Sequence, residues 1–119
     1  MYLMAVISVE SQFKARAISH ASAYGLMQMT RVAVTESIKY CNLRKISNMT
    51  ELLDSATNVR YGSCYLKKVL DQADGDWDRA LILYNGGSRQ LTKYMAGSTI
   101  ASETANYVLQ VRRALRICN

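Results

Sequence analysis

The chain has 119 residues, half of them hydrophobic, which suffices for one domain with a sizeable core. Pro is absent and Gly numbers only 6, which argues against long disordered linkers. Lys and Arg outnumber Asp and Glu by 15 to 9, giving +6. That balance fits a merely soluble basic surface or a polyanionic partner (nucleic acid, an anionic membrane face or cell-wall polymer) and does not choose among them.

Apolar spacing is helical almost throughout. Tyr2 to about Phe13 reads as a mostly buried first helix, with Met4-Ala5-Val6-Ile7 running close to Glu10. Ala21–Gly25 reads as a turn entering a second helix, Leu26 to about Tyr40, followed by a polar, basic loop from Cys41 to Thr50. From Glu51 to Leu70 the positions Ala56, Val59, Gly62, Leu66, Val69 and Leu70 recur at helical spacing. Asp74-Gly75-Asp76 breaks that helix, and Asp76 is placed to cap the next. There Trp77, Ala80, Leu81 and Tyr84 share a face, and Gly86-Gly87 is expected to end it. After a loop around Gly97, Ser102 is expected to cap a last helix whose face is Tyr107, Val108, Val111 and Leu115. Arg112, Arg113 and Arg116 lie toward its C-terminal end, where the helix dipole favours cations. No strand alternation, repeat or low-complexity tract interrupts the pattern. The expected architecture is a compact all-α domain of about five to seven helices, undivided from 1 to 119.

Cys41, Cys64 and Cys118 are widely spaced, odd in number and form no CxxC. Buried free thiols and folding in a reducing cytoplasm are the expectation. A single histidine, His20, argues against a His-based metal site or a Ser-His-Asp triad, so neither a metal nor a cofactor is expected. The opening MYLMAVISVE lacks a basic n-region, and its apolar run is too short for a signal peptide or a membrane span. It predicts neither membrane insertion nor an export route.

Five stretches carry the chemistry: Glu10-Ser11, Tyr24–Met29 (YGLMQM), Asn58–Leu66 (NVRYGSCYL), Leu83–Gly87 (LYNGG) and Glu103–Val108 (ETANYV). In this order and spacing they resemble the catalytic domain of soluble lytic murein transglycosylases, a goose-lysozyme-like, all-α fold. The resemblance covers nearly the whole chain. Glu10-Ser11 alone carries no weight; the five together are specific. The resemblance implies cleavage of the β-1,4 bond between N-acetylmuramic acid and N-acetylglucosamine in peptidoglycan glycan strands, leaving a 1,6-anhydromuramic end without using water. It makes Glu10 the single acid/base and Ser19 the residue assisting the muramic N-acetyl group. Gln28, Tyr84, Asn85, Glu103 and Tyr107 fall on glycan-binding or acid-supporting positions. The sequence departs from the family after GLMQ, where Met29-Thr30-Arg31 replaces the usual apolar residue, methionine and proline. It also carries LYNGG for the commoner AYNAG. Short transglycosylases of this kind occur in phage virions and in secretion or conjugation machines, so such partners, and delivery by them to the wall or periplasm, are expected.

The residues support Glu10 independently. A general acid must stay protonated near neutral pH, and both apolar burial and a helix C-terminus disfavour the carboxylate. No acidic residue lies between Ser11 and Thr35, whereas most glycosidases use two carboxylates. A lone carboxylate suits substrate-assisted chemistry. Each position also has a plainer reading: Glu10 as a surface glutamate, Gln28 as an exposed helical residue, Tyr84 and Tyr107 as packed core, Asn85 as a helix-end residue. Glu103 reads equally as a first-turn helix charge, and Ser19 as a loop serine. The competing functions are a hydrolase on the same fold, a non-catalytic wall-binding virion module, and a basic nucleic-acid binder. The last lacks any recognition motif.

Overall fold

The computed structural model describes residues 1–118. Five α-helices follow one another: α1 Tyr2–Ser11, α2 Arg31–Cys41, α3 Ser55–Gln72, α4 Trp77–Met95 and α5 Ser102–Cys118, with a 3-10 turn at Met49–Leu53 before α3. Among the described residues there is no strand, only two isolated bridges, Ile18 with Tyr24 and Tyr24 with Met29. The all-α expectation holds.

α1 packs against α5, α5 against α4, α4 against α3, and α3 against α2. The shared core includes Ala5 and Val6 from α1, Leu66 and Val69 from α3, Ala80, Leu81 and Ile82 from α4, and Val108 and Val111 from α5. At the N-terminal ends of α1 and α4, Tyr2 stacks on Trp77 with ring centroids 3.8 Å apart. These apolar faces remove enough surface from water to hold short helices that would not persist alone.

Several boundaries differ from expectation. α1 stops at Ser11 because Gln12 turns left-handed and its N–H caps Ser8. α2 begins at Arg31 rather than Leu26, because Tyr24 and Met29 exchange two backbone hydrogen bonds and close Gly25–Gln28 into a tight loop. Thr30 is extended and caps α2 through its side chain. The expected Glu51–Leu70 helix is divided at Asp54, whose carboxylate accepts from the Thr57 N–H as the cap of α3; Ala56 is exposed rather than on the buried face. Asp76 caps α4 as expected. Gly86-Gly87 ends the first helical run as expected: Gly87 leaves helical geometry at φ 78°, and a second run, counted with the first as α4, continues to Met95. Ser102 is the first residue of α5 rather than its cap. Arg112 is held less by the helix end than by Asp78 on α4, to which its Nε donates at 3.0 Å.

The cysteine expectation is corrected. Cys41 and Cys64 are joined by a disulfide that ties the end of α2 to the middle of α3. Sequence spacing hid the pair because 23 residues separate the partners and only helix packing brings them together. The expectation for the Cys118 thiol falls outside the described side chains. A cross-link closing a loop of this size stabilises the fold by about 3 kcal/mol. Reduction with dithiothreitol, or Cys41→Ser, is therefore expected to lower stability by about that amount in urea unfolding, with the α-helical circular dichroism largely retained before the transition.

Candidate active site

Glu10 is the penultimate residue of α1, at the end where the helix dipole is negative. Its carboxyl is largely enclosed and its pKa is raised from 4.5 to about 7. Burial is the main cause. The Tyr107 hydroxyl on α5 works against it by favouring the anion, and the like charge of Glu103, at the start of α5, adds to the rise. Tyr107 is 5% exposed, and its hydroxyl has no partner at full hydrogen-bond geometry. It approaches the Glu10 carboxyl closely enough to act on it, and that carboxyl is the polar group that would satisfy it. Tyr107 itself is held well above the usual tyrosine range, by burial first and then by the charge of Glu10.

Tyr84 brings α4 to the same place. Burial and then the Glu10 charge hold its hydroxyl well above the ordinary tyrosine range. Its ring packs at a tilt against Tyr65 of α3, with centroids 5.3 Å apart. An acid-supporting role for Tyr84 would have its hydroxyl reach Glu10. In the structure it lies near that carboxyl electrostatically, but its proton goes to the Met27 carbonyl at 2.8 Å.

Met27 sits in the Tyr24–Met29 loop, and the loop explains Gln28. Gln28 is not helical; it adopts φ 51°, and its Nε2 donates to the carbonyls of Gly25 at 2.9 Å and Ala17 at 3.2 Å. Its side-chain oxygen makes no hydrogen bond among the described residues. Ser19 lies on the adjoining segment, where its hydroxyl oxygen accepts from the Ala21 and Ala23 N–H groups, both at 3.2 Å. That use leaves its hydrogen free to donate. Asn85 follows Tyr84, and its Oδ1 is buried without a partner.

The structure thus gathers Glu10, Glu103, Tyr107 and Tyr84 from three helices. Gln28 is linked to them only through the Tyr24–Met29 loop, whose Met27 carbonyl accepts from the Tyr84 hydroxyl. No hydrogen bond links Ser19, Gln28 or Asn85 to the Glu10 carboxyl. A surface cavity of about 680 Å³, bordered by Arg44, Arg60 and Tyr61, includes none of these residues. It lies beside α3, away from the acid. Among the described residues no three His, Cys, Asp or Glu side chains converge on a metal position, and no helix is long and apolar enough to cross a membrane.

One structural residue was missed in the sequence. Asn58 on α3 is fully buried. Its Oδ1 accepts from the Met27 N–H, and its Nδ2 donates to the Tyr24 and Leu52 carbonyls, each at 2.8 Å. The signal available was a polar residue on the buried side of an amphipathic helix. Gly62, on the recurring face of α3, is a close approach: a Cβ there would lie 2.3 Å from the Met27 Sδ. Gly25 is required more strictly, since its φ is +75° and a Cβ would lie 2.3 Å from both Asn58 Nδ2 and the Leu52 oxygen.

Comparison with known proteins agrees with this arrangement. A sequence model of the Transglycosylase SLT domain matches residues 1–107. The chain is 29% identical over 97 residues to the soluble lytic murein transglycosylase of Escherichia coli (strain K12). It is 28% identical over the same length to the Salmonella typhimurium protein of that name. These matches cover 82% of this chain but 15% of the relatives. The crystal structure of the 70 kDa soluble lytic transglycosylase of Escherichia coli superposes with a TM-score of 0.85 at 29% identity, covering 92% of this chain and 20% of that one. An inactive Glu-to-Gln mutant of the lytic transglycosylase Slt from Pseudomonas aeruginosa gives 0.83 at 25% identity over the same shares. The chain therefore spans a fifth or less of the length of these relatives.

The raised pKa has a stability consequence. Between about 4.5 and about 7 the folded protein holds a proton on Glu10 that the unfolded chain has released, so stability falls as pH rises through that window. A rise of this size corresponds to roughly 3 kcal/mol once Glu10 is ionised. Glu10→Gln is expected to be more stable than wild type at pH 8, by up to that amount, and nearly equal to it at pH 4. Urea unfolding at the two pH values checks this. With its fold, its matched residues and its enclosed carboxyl in agreement, the chain belongs to the Transglycosylase SLT domain family.

Proposed function

We propose that residues 1–119 form one catalytic domain that cleaves peptidoglycan glycan strands as a lytic transglycosylase. The substrate bond is the β-1,4 link from N-acetylmuramic acid to N-acetylglucosamine. The observation that carries this reading is the single enclosed carboxyl of Glu10, with a pKa near 7. Such a group is protonated often enough to act as an acid and basic enough to take a proton back.

In the first step Glu10 gives its proton to the glycosidic oxygen, which leaves as the 4-hydroxyl of N-acetylglucosamine. The acetamido oxygen of the muramic residue stabilises the positive C1. Ser19, whose hydroxyl hydrogen is uncommitted, is suited to orient that acetamido group. In the second step the Glu10 anion removes the proton of the muramic C6 hydroxyl. O6 then bonds to C1, which closes the 1,6-anhydro ring and restores the protonated acid. No water enters the balance. The intramolecular attack has a large effective concentration over water. Tyr107 steadies the anion formed between the steps. Glu103 keeps proton release unfavourable before them. Gln28, whose side-chain oxygen accepts no hydrogen bond among the described residues, is suited to hold a sugar N–H or O–H group; for Asn85 the same role rests on the family resemblance, because its Oδ1 is buried.

The named activity of the relatives, lytic murein transglycosylase, and a complex of the 70 kDa enzyme with bulgecin A support the same class. Action at the bacterial wall follows from the substrate. The Cys41–Cys64 disulfide fits an oxidising setting outside the cytoplasm.

Glu10→Gln is expected to remove activity on purified sacculi by at least the upper part of the ~10²–10⁴-fold range of general acid–base catalysis, because one group serves both steps. Glu103→Gln is expected to cost less. Mass spectrometry of released muropeptides reads the outcome. Anhydromuropeptides at a near-wild-type rate from Glu10→Gln would remove Glu10 from its role, and reducing-end products from wild type would make the enzyme a hydrolase.

A further inference from the structure

Among the groups around Glu10, the polar ones come from α4 and α5: Tyr84, Glu103 and Tyr107. No charged group of α3 acts on it. Yet α3 supplies the most heavily engaged buried polar side chain in this part of the fold. Asn58 is 0% exposed and uses its oxygen and both amide hydrogens on three separate backbone groups. Two of these groups, the Met27 N–H and the Tyr24 carbonyl, belong to the loop; the third, on Leu52, belongs to the 3-10 turn. Met27 is then held from its other side, because its carbonyl accepts from Tyr84. Its side chain lies on Gly62, where no Cβ intervenes. One residue of an irregular loop is thus fixed at its N–H, its carbonyl and its side chain, and the carbonyl is its link to α4.

We propose that Asn58 is a positioning residue for the reaction, acting through the Met27 backbone to hold Tyr84 as part of the water-excluding wall beside Glu10. The proposal rests on the reading of Glu10 as the acid. The physical route is short. Without the Asn58 amide the Met27 peptide loses its anchor, and the Met27 carbonyl and Tyr84 hydroxyl part. Each then needs a new partner, and water is the available one. Water beside Glu10 lowers the cost of its anion, so the proton leaves at lower pH and the enzyme loses its acid earlier as pH rises.

The test uses Asn58→Ser, which brings in no charge, together with Tyr84→Phe, which cuts the other end of the link, and the double variant. The Glu10 carboxyl is titrated by carbon-13 NMR in the folded protein, and the basic limb of the rate–pH profile is measured on sacculi. Both single variants are expected to lower the Glu10 midpoint by about one unit, roughly a tenfold loss of proton affinity. The double variant is expected to shift it no further, as one path predicts. The basic limb should move with the midpoint.

A folded Asn58→Ser protein that is less stable but keeps the wild-type midpoint would make Asn58 merely structural and overturn the proposal. Additive shifts in the double variant would overturn the path through Met27. If Asn58→Ser does not fold, Tyr84→Phe decides alone, and an unmoved midpoint there overturns the proposal. The NMR midpoint does not depend on turnover. An active Glu10→Gln enzyme would therefore defeat the catalytic reading while leaving the positional test of Asn58 intact.

Discussion

The amide of Asn58 is the interaction on which the rest of the site depends. Backbone hydrogen bonds at Tyr24, Gly25, Gln28 and Met29 close the Tyr24–Met29 loop, but the Met27 N–H, at a wholly buried residue, must find its partner elsewhere. The Asn58 side chain supplies that partner and also donates to the Tyr24 and Leu52 carbonyls, each at 2.8 Å. The surrounding residue choices follow from it. Gly25 must lack a Cβ because Asn58 and the Leu52 carbonyl occupy that space. Gly62 must lack one because Met27 lies there. Met27 is wholly buried although it sits in a loop, and its carbonyl becomes the seat of the Tyr84 hydroxyl.

Against that frame the chemistry of Glu10 is a balance among four contributions from different elements. α1 presents the carboxyl at its negative end. The packed helices exclude water and push its proton affinity up; Tyr107 pulls it partly back, and Glu103 pushes again. Burial alone would give an acid too reluctant to release its proton, and exposure would give one already ionised at neutral pH. The intermediate value suits one carboxyl that must give and then take a proton. Most glycosidases instead divide these two tasks between a pair of carboxylates. Glu103 is exposed at the start of α5, which suits a field acting on Glu10 rather than a nucleophile enclosed beside it.

The chain matches a fifth or less of the length of its relatives. A disulfide braces α2 against α3. That brace lies on the side of α3 that meets α2, while Asn58 and Gly62 of the same helix meet the Tyr24–Met29 loop. Loss of the cross-link would therefore loosen α2, which starts directly after the loop, before it reached the acid. The oxidised pair also makes a reducing cytoplasm a poor setting for the finished fold, contrary to what three scattered cysteines suggest.

Helix type and the main buried faces were legible because they depend on period and caps: the apolar face of α5, the capping role of Asp76 and the close approach at Gly62 can all be read locally. The motif stretches also marked Glu10, Tyr84, Glu103 and Tyr107 in order, and the structure brings these four together. What local pattern did not decide was where the chain leaves a helix for tertiary reasons. Leu26–Gln28 has helical composition but folds as a loop, because Asn58 and Tyr84 capture its backbone from 31 and 57 residues away. Gly86-Gly87 breaks the helix as its stop signal says, but a second helical run follows directly after it. Cys41 and Cys64 pair only after α2 and α3 dock. The sequence by itself determined the elements and the chemical type of the site, since propensity, period and side-chain chemistry are local. Only the tertiary structure decided the proton affinity of Glu10 and the partners of Tyr84, Gln28 and Asn58, because burial and long-range hydrogen bonds exist only once distant segments have packed.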